Sequence, residues 1–548
     1  MTDEINALAA DYFEAMMVAE PTWAHLLGDY RYADRFEDAT RAHEDERIAE
    51  LTAFAERVRA VPEEALDADG RITRGVLLSD ATTRADLASA RLAEVAADPI
   101  FGPQVMVSVY AGMLGVPDAE VAEKVLTKVA AIGEHFAQLA QRQREGVDSG
   151  RVSARFAVEG TIAQIDAALV VPADQDPLVG AVQLPGDVDA DRWRARAAEA
   201  VQRSLRPGMT AFRDVLRDEV SPHARSDDAA GLCHLPDGAA AYDAALRYFT
   251  TTSLSAQQIH DVGLAQIEKL AEEYRELGGS ALGTSDLAEV LDRMRTDPAL
   301  HFESADEMVR ASEVAMRRAW EAMGDWFEVL PQAPCAVEGV TSGPKAYYFP
   351  PAKDGSRGGT FFINVDDPTS WGTFELESMA FHEGIPGHHL QLAIADELPD
   401  SVPAIRKYAE TAAYAEGWGL YTERLADEMG LYSSPIDRLG MLAADSMRAC
   451  RLVVDTGLHA LGWSRQQAVD YMVANSPLRE TMVRPEIDRY IVHPGQATSY
   501  MIGRLEIQRM RREAEARPGF DIKRFHSAVL DSGTLPLEVL DQVVRARL

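Results

Sequence analysis

The stretch at 374–392 reads FELESMAFHEGIPGHHLQL. His382 and Glu383 are adjacent, Pro386 and Gly387 follow, and His388 and His389 come next, so three of the chain's 13 histidines fall within eight residues. Neutral imidazole is the commonest zinc ligand. In the His-Glu-x-x-His helix, two histidines four residues apart share one face and the glutamate activates water on the metal. Position 386 is proline, so that pattern is not met. On a continuous helix His388 would be turned roughly 240° from His382, and His389 would share its face but sit about 10 Å along the axis. Neither could join His382 on one ion. Proline removes a helical hydrogen bond and glycine permits unusual dihedrals. A metal reading therefore requires Pro386–Gly387 to break or bulge the helix and fold His388 or His389 back towards His382.

A third ligand is sought downstream. Glu416, in TAAYAEGWGLYTERLADEMG, follows His382 by 34 residues. A carboxylate among Ala, Tyr, Gly and Trp is poorly solvated and needs a partner. Glu423 lies two turns later on a similar face and is the reserve.

Just upstream come the main strand signals, AYYF at 346–349 and GTFFINV at 359–365, separated by a Pro/Gly/Asp-rich turn. They predict a small antiparallel sheet beside the histidines. An edge strand there would hold an extended peptide by strand addition. Elsewhere the chain reads as amphipathic helix, as in VAEKVLTKVAAIGEHFAQLAQRQ, SAQQIHDVGLAQIEKLAEEYREL and ADEMVRASEVAMRRAWEAMGDWF, with Ser255 and Ser304 as helix-starting caps. Two Pro/Gly-broken connections stand out, around 170–193 and 221–238. The second predicts a boundary between an N-terminal helical lobe, 1–238, and a catalytic helical lobe, 239–548.

The formal charge is −34, with 88 acidic against 54 basic side chains spread along the chain. Such a surface repels phosphate backbones and anionic lipid, so neither nucleic acid nor membrane is expected as a partner. Hydrophobic residues at 47% and charged residues at 26% suit a globular protein. Cys233, Cys335 and Cys450 form no CxxC pair, and the acidic N-terminal MTDEINALAADYFEAMM does not read as a secretory signal. The cytoplasm is the expected compartment.

HEGIPGHHLQ, AEGWGLYTERLADEMG, DTGLHALGWSRQQAVDYM and HPGQATSYMIG, in that order, resemble the bacterial family known as domain of unknown function 885. EPTWAHLLGDYRYADRFEDAT and TTTSLSAQQIHDVGLAQI extend the resemblance over nearly the whole chain. The family is similar to helical zinc metallopeptidases of the gluzincin type. The resemblance implies a mainly α, two-lobed fold, with His382, His388 and Glu416 on zinc and Glu383 as general base. His388 is preferred to His389 because the family pattern is His-Glu-x-x-Pro-Gly-His.

An oxyanion formed in hydrolysis needs a donor. Tyr500 in HPGQATSYMIG and His459 in DTGLHALGW are the candidates. Arg448 and Arg451 sit on an otherwise apolar helix and could clamp a substrate carboxylate, or pair with Asp445 or Asp455. The leading expectation is a peptidase acting on short peptides, as an oligopeptidase or carboxypeptidase. A hydrolase of a non-peptide amide or ester, or a non-catalytic helical binding protein of the same fold, are the alternatives.

Overall fold

The computed structural model describes residues 1–351, 357–409 and 411–548. The protein is mainly α, 71% helical with one small sheet. The three apolar-periodic segments form the long helices Ala119–Ser149, Ala256–Ala281 and Ala305–Trp326. Side-chain caps that satisfy the free N–H groups of the first turn fix their starts. Asp118 accepts from Val121 N–H, Ser255 forms a reciprocal capping box with Gln258, and Ser304 accepts from Glu307 N–H. The two Pro/Gly-broken connections hold short turns, among them Ala173–Gln175, Pro177–Gly180, Asp227–Ala229 and Leu232–His234, before the helices Ala190–Ala200 and Gly238–Thr250 begin.

Buried apolar side chains fall into three clusters. The largest joins side chains from Ile5 to Ala85 with others from Leu232 to Val544. The second is built almost wholly from Ala97 to Ala224. The third gathers around Cys450, Val454 and Leu458. The first helices of the chain thus share a core with its C-terminal half, and the stretch between builds its own. Among the described residues no helix is long and apolar enough to cross a membrane.

The sheet has strands β1 (Cys335–Val340), β2 (Ala346–Phe349) and β3 (Gly359–Asn364) in the order β1–β3–β2. The expected antiparallel pair is β2 with β3, with Tyr348 opposite Phe361. β1 adds a parallel partner on the other side, so the sheet is mixed rather than antiparallel. Glu338 and Gly339 interrupt the apolar run of β1, and both residue types are poor strand formers, which hid this strand in the sequence. Of the turn between β2 and β3, residues 352–356 lie outside the described residues.

Six helices of the C-terminal half position the site: α1 (Glu375–Glu383), α2 (His388–Asp396), α3 (Ala412–Glu428), α4 (Pro435–His459), α5 (Glu480–Val492) and α6 (Ser499–Glu515). α4 packs along the helix Ala256–Ala281, and α3 packs along α6.

Candidate metal centre

The helix break that a metal reading requires is present. α1 ends at Glu383 and α2 begins at His388. The link between them has no room for side chains at its two glycines. A Cβ on Gly384 would fall 2.1 Å from Sδ of Met316, and one on Gly387 would fall 1.9 Å from the His382 carbonyl oxygen. The Ile385–Pro386 peptide is cis. Trp418 Nε1 donates to the Pro386 carbonyl at 3.0 Å, and His389 N–H to that of Gly384 at 3.1 Å. The turned-back chain brings the rings of His382 and His388 to 4.8 Å between centroids, at 88° to each other.

α3 supplies the third group. It runs between α1 and α6 with a glycine towards each. A Cβ on Gly417 would meet Cα of Gly503 on α6 at 2.5 Å, and a Cβ on Gly419 would meet the His382 ring at 2.7 Å. Two helical positions apart point roughly 200° apart, so the two glycines serve opposite faces. Only hydrogen fits at these contacts, which seat Glu416 at the histidines. Its Oε2 lies 3.5 Å from Nε2 of His382 and 3.5 Å from Nε2 of His388.

Glu423, read in the sequence as a reserve ligand, holds the other side of His382. Its Oε1 is 2.8 Å from Nδ1, and its Oε2 accepts from Ser378 Oγ at 2.6 Å. Nδ1 of His382 therefore carries the hydrogen, and Nε2 faces Glu416. Burial alone would pull the His382 pKa down, but Glu416 and Glu423 outweigh it and raise it to about 9. Burial likewise opposes ionisation of Glu416, yet the two histidines hold its carboxyl well below the usual range. By contrast Nδ1 of His388 is buried without a hydrogen-bond partner among the described residues. Glu383 is half-buried at the end of α1, also with no hydrogen-bond or ion-pair partner there.

His389 is excluded from the centre. Its Nε2 is 3.0 Å from the Ala333 carbonyl and its Nδ1 2.9 Å from Tyr348 Oη, so Nε2 donates and Nδ1 accepts. Burial lowers its pKa to about 4. It anchors β2 to α2.

His459, expected as an oxyanion donor, is corrected to a structural residue. Nδ1 accepts from Leu232 N–H at 3.1 Å, Nε2 donates to the Tyr490 carbonyl at 2.9 Å, and burial lowers its pKa to about 4. No proton on it is free, and it stands about 16 Å along α4 from Arg448.

The two arginines of α4 pair differently from expectation. Asp445 is taken by Arg424 and by Arg504. Arg451 instead binds Glu486 at 2.9 Å and Tyr490 Oη at 2.8 Å, both on α5. Nη2 of Arg448 reaches to 3.9 Å from Oε1 of Glu423. Tyr500 is buried against both, its ring centroid 4.6 Å from the guanidinium carbon of Arg451 and 5.9 Å from that of Arg448. Glu486 and Arg489 went unnoticed in the sequence, where they sit in an ordinary charged helical segment.

The three converging side chains offer the donor types that a zinc ion takes. Their ligand atoms all lie within 4.8 Å of one another. Bonds of about 2.0–2.1 Å in a tetrahedron set neighbouring ligand atoms about 3.3 Å apart. The two N–O separations of 3.5 Å are close to that spacing. They are longer than the roughly 2.9 Å of a normal N–H···O bond. Two imidazole nitrogens and one carboxylate oxygen suit zinc better than calcium or magnesium, and three protein ligands leave a position open.

A family model described as "Bacterial protein of unknown function (DUF885)" matches residues 21–544. No curated protein matches the chain by sequence. The fold is similar to the crystal structure of a protein described as a "putative lipoprotein" from Colwellia psychrerythraea, with a TM-score of 0.89 at 24% identity, covering 100% of this chain and 98% of that one. It is also similar to a "putative lipoprotein of unknown function" from Shewanella oneidensis, with a TM-score of 0.76 at 18% identity and 98% of each chain covered.

Proposed function

This chain belongs to the DUF885 family, and from that premise we propose that it is a zinc-dependent hydrolase cleaving peptide bonds in short substrates. One observation carries the reading. Nε2 of His382 and Nε2 of His388 converge on the same Glu416 oxygen, 3.5 Å from each, with Glu383 directly beside His382. The donor set resembles that of gluzincin peptidases.

A zinc ion held by His382, His388 and Glu416 would polarise a substrate carbonyl and acidify water. The chain's own groups do the rest. Glu423 accepts the Nδ1 hydrogen of His382, which fixes the ring and leaves the Nε2 lone pair for the centre. The Glu383 carboxylate takes a proton from the attacking water and returns it to the leaving amine nitrogen. Tyr500 is the candidate donor to the developing oxyanion. Among the described residues β2 pairs with β3 on one side only, and its Tyr348 touches His389 next to the centre. Its free edge suits an extended peptide bound by strand addition.

The test is metal analysis combined with hydrolysis of short peptides and matched acyl esters by native, chelated and zinc-restored protein. About one zinc per chain is expected, with peptide cleavage lost on chelation, regained with zinc, and helicity retained throughout. Full peptidase activity in metal-free protein overturns the reading, as does cleavage of the esters alone.

A further inference from the structure

Beside the centre, among the described residues, three arginines gather with a single carboxylate that hydrogen-bonds any of them. Arg448 and Arg451 of α4 and Arg489 of α5 gather around Tyr500 of α6. The first two flank the tyrosine ring, and Arg489 is within electrostatic reach of Tyr500 and Arg451. Among the described residues, one dedicated carboxylate stands against these three cations. Glu486 accepts from Arg451 at 2.9 Å and lies 3.7 Å from Arg489. Neighbouring acids are engaged elsewhere. Glu423 is 3.9 Å from Arg448, beyond hydrogen-bond reach, and serves His382 and Ser378. Asp455 accepts from Tyr242 Oη and from Gly495 N–H, and Asp445 serves Arg424 and Arg504.

Donors are left over. Nε of Arg448, Nη1 of Arg451 and Nε of Arg489 are buried without hydrogen-bond partners among the described residues. Among the described residues the hydrogen bond Arg448 makes is long, 3.4 Å to the Ala444 carbonyl of its own helix. Arg448 and Arg451 are 7% and 4% exposed. Buried charge with free donors is strongly unfavourable unless an anion meets it. The planar guanidinium fork matches a carboxylate in two hydrogen bonds. Position gives the anion a purpose: a single carboxylate, Glu423, separates Arg448 from His382.

We propose that Arg448, Arg451 and Arg489 form a carboxylate subsite that receives the free C-terminal carboxylate of a peptide. The substrate class follows: short peptides cut near a free C-terminus, not the interior of long chains. The cleavage part rests on the hydrolase reading above; the binding part does not.

The probes are an N-acetyl dipeptide with a free C-terminus and the same dipeptide as its C-terminal amide. Calorimetry on the metal-free full-length chain reads binding without turnover, and kcat/KM on the zinc-loaded chain reads cleavage. The acid should bind about tenfold to a hundredfold more tightly than the amide. In Arg448→Gln that preference should shrink to about twofold, with the melting temperature checked alongside. If that variant does not fold, Arg448→Lys keeps the charge but loses the fork, and should still cut the preference severalfold. Equal binding of acid and amide by the wild type overturns the subsite whatever the turnover shows. Inorganic phosphate binding as tightly as the acid overturns its assignment to a peptide terminus. Carboxylate-dependent binding without any cleavage overturns the hydrolase reading and leaves the subsite standing.

Discussion

The Glu423 carboxylate lies 2.8 Å from Nδ1 of His382, on the ring nitrogen turned away from Glu416. A histidine so placed has one tautomer and one orientation, and its outward nitrogen is made more basic. Glu423→Gln keeps the shape and the accepting oxygen but removes the charge. Zinc affinity, read by competition with a chromogenic chelator, should fall about tenfold to a hundredfold with the fold intact. Unchanged affinity would mean that Glu423 does not act through His382.

His388 and His389 are neighbours with opposite assignments. His388→Ala should lose stoichiometric zinc. His389→Ala should keep it and lose stability instead, because Tyr348 Oη and the Ala333 carbonyl lose their partner. A buried polar group left unpaired costs about 1–3 kcal/mol. Metal content and melting temperature of the two variants decide the matter, and the reverse ranking would put the wrong histidine at the centre.

Glu383→Gln should retain zinc and lose turnover about a hundredfold to ten-thousandfold, since an amide cannot accept the proton. Metal analysis of the same sample separates this from loss of the site. Near-normal turnover would assign the base elsewhere.

Tyr500 has no hydrogen-bond partner for its hydroxyl among the described residues, while its ring is packed against Arg451. Tyr500→Phe keeps the packing and removes only the hydroxyl. A donor to the oxyanion is worth on the order of 3 kcal/mol, so single-turnover rates should drop a hundredfold or more with the melting temperature unmoved. A change in stability with normal rates would make it a core residue.

Asp455 sets a pH dependence of stability. Burial raises its pKa to about 7, against the opposing hydrogen bonds from Tyr242 and Gly495. Its folded pKa thus exceeds the unfolded one of about 3.9. The folded state holds this proton more tightly, so the contribution is fully present below pH ~4 and is lost as pH rises towards ~7. Asp455→Asn keeps the accepting oxygen and cannot ionise. The stability of wild type relative to this variant, from urea midpoints, should decline across that window and then level off. A flat difference would place the Asp455 pKa outside it.

Much of this arrangement was legible in the sequence because it rests on local chemistry. Pro386–Gly387 could not continue a helix, and a carboxylate at 416 among apolar and aromatic neighbours needed a partner. The long helices announced themselves through periodicity and through caps such as Ser255. What depended on distant packing was not legible. Nothing in the local sequence shows that His459 spends both nitrogens on Leu232 and Tyr490, or that Arg451 turns to Glu486 rather than to an acid on its own helix. Glu423 was noticed for its helical face, but which side of His382 it would occupy depended on how α3 crosses α1. β1 escaped because its identity as a strand comes from β3, not from its own residues.

The helix that bears Glu416 is clamped by main chain on one side and an imidazole on the other, through Gly417 and Gly503 and through Gly419 and His382. This makes the centre a calliper with a fixed jaw. α3 has no room to move outward, because α6 already touches it backbone to backbone. No side chain stands in between to rotate aside. A side chain at position 503 would therefore displace α3, and with it the Glu416 carboxylate that faces His382 and His388.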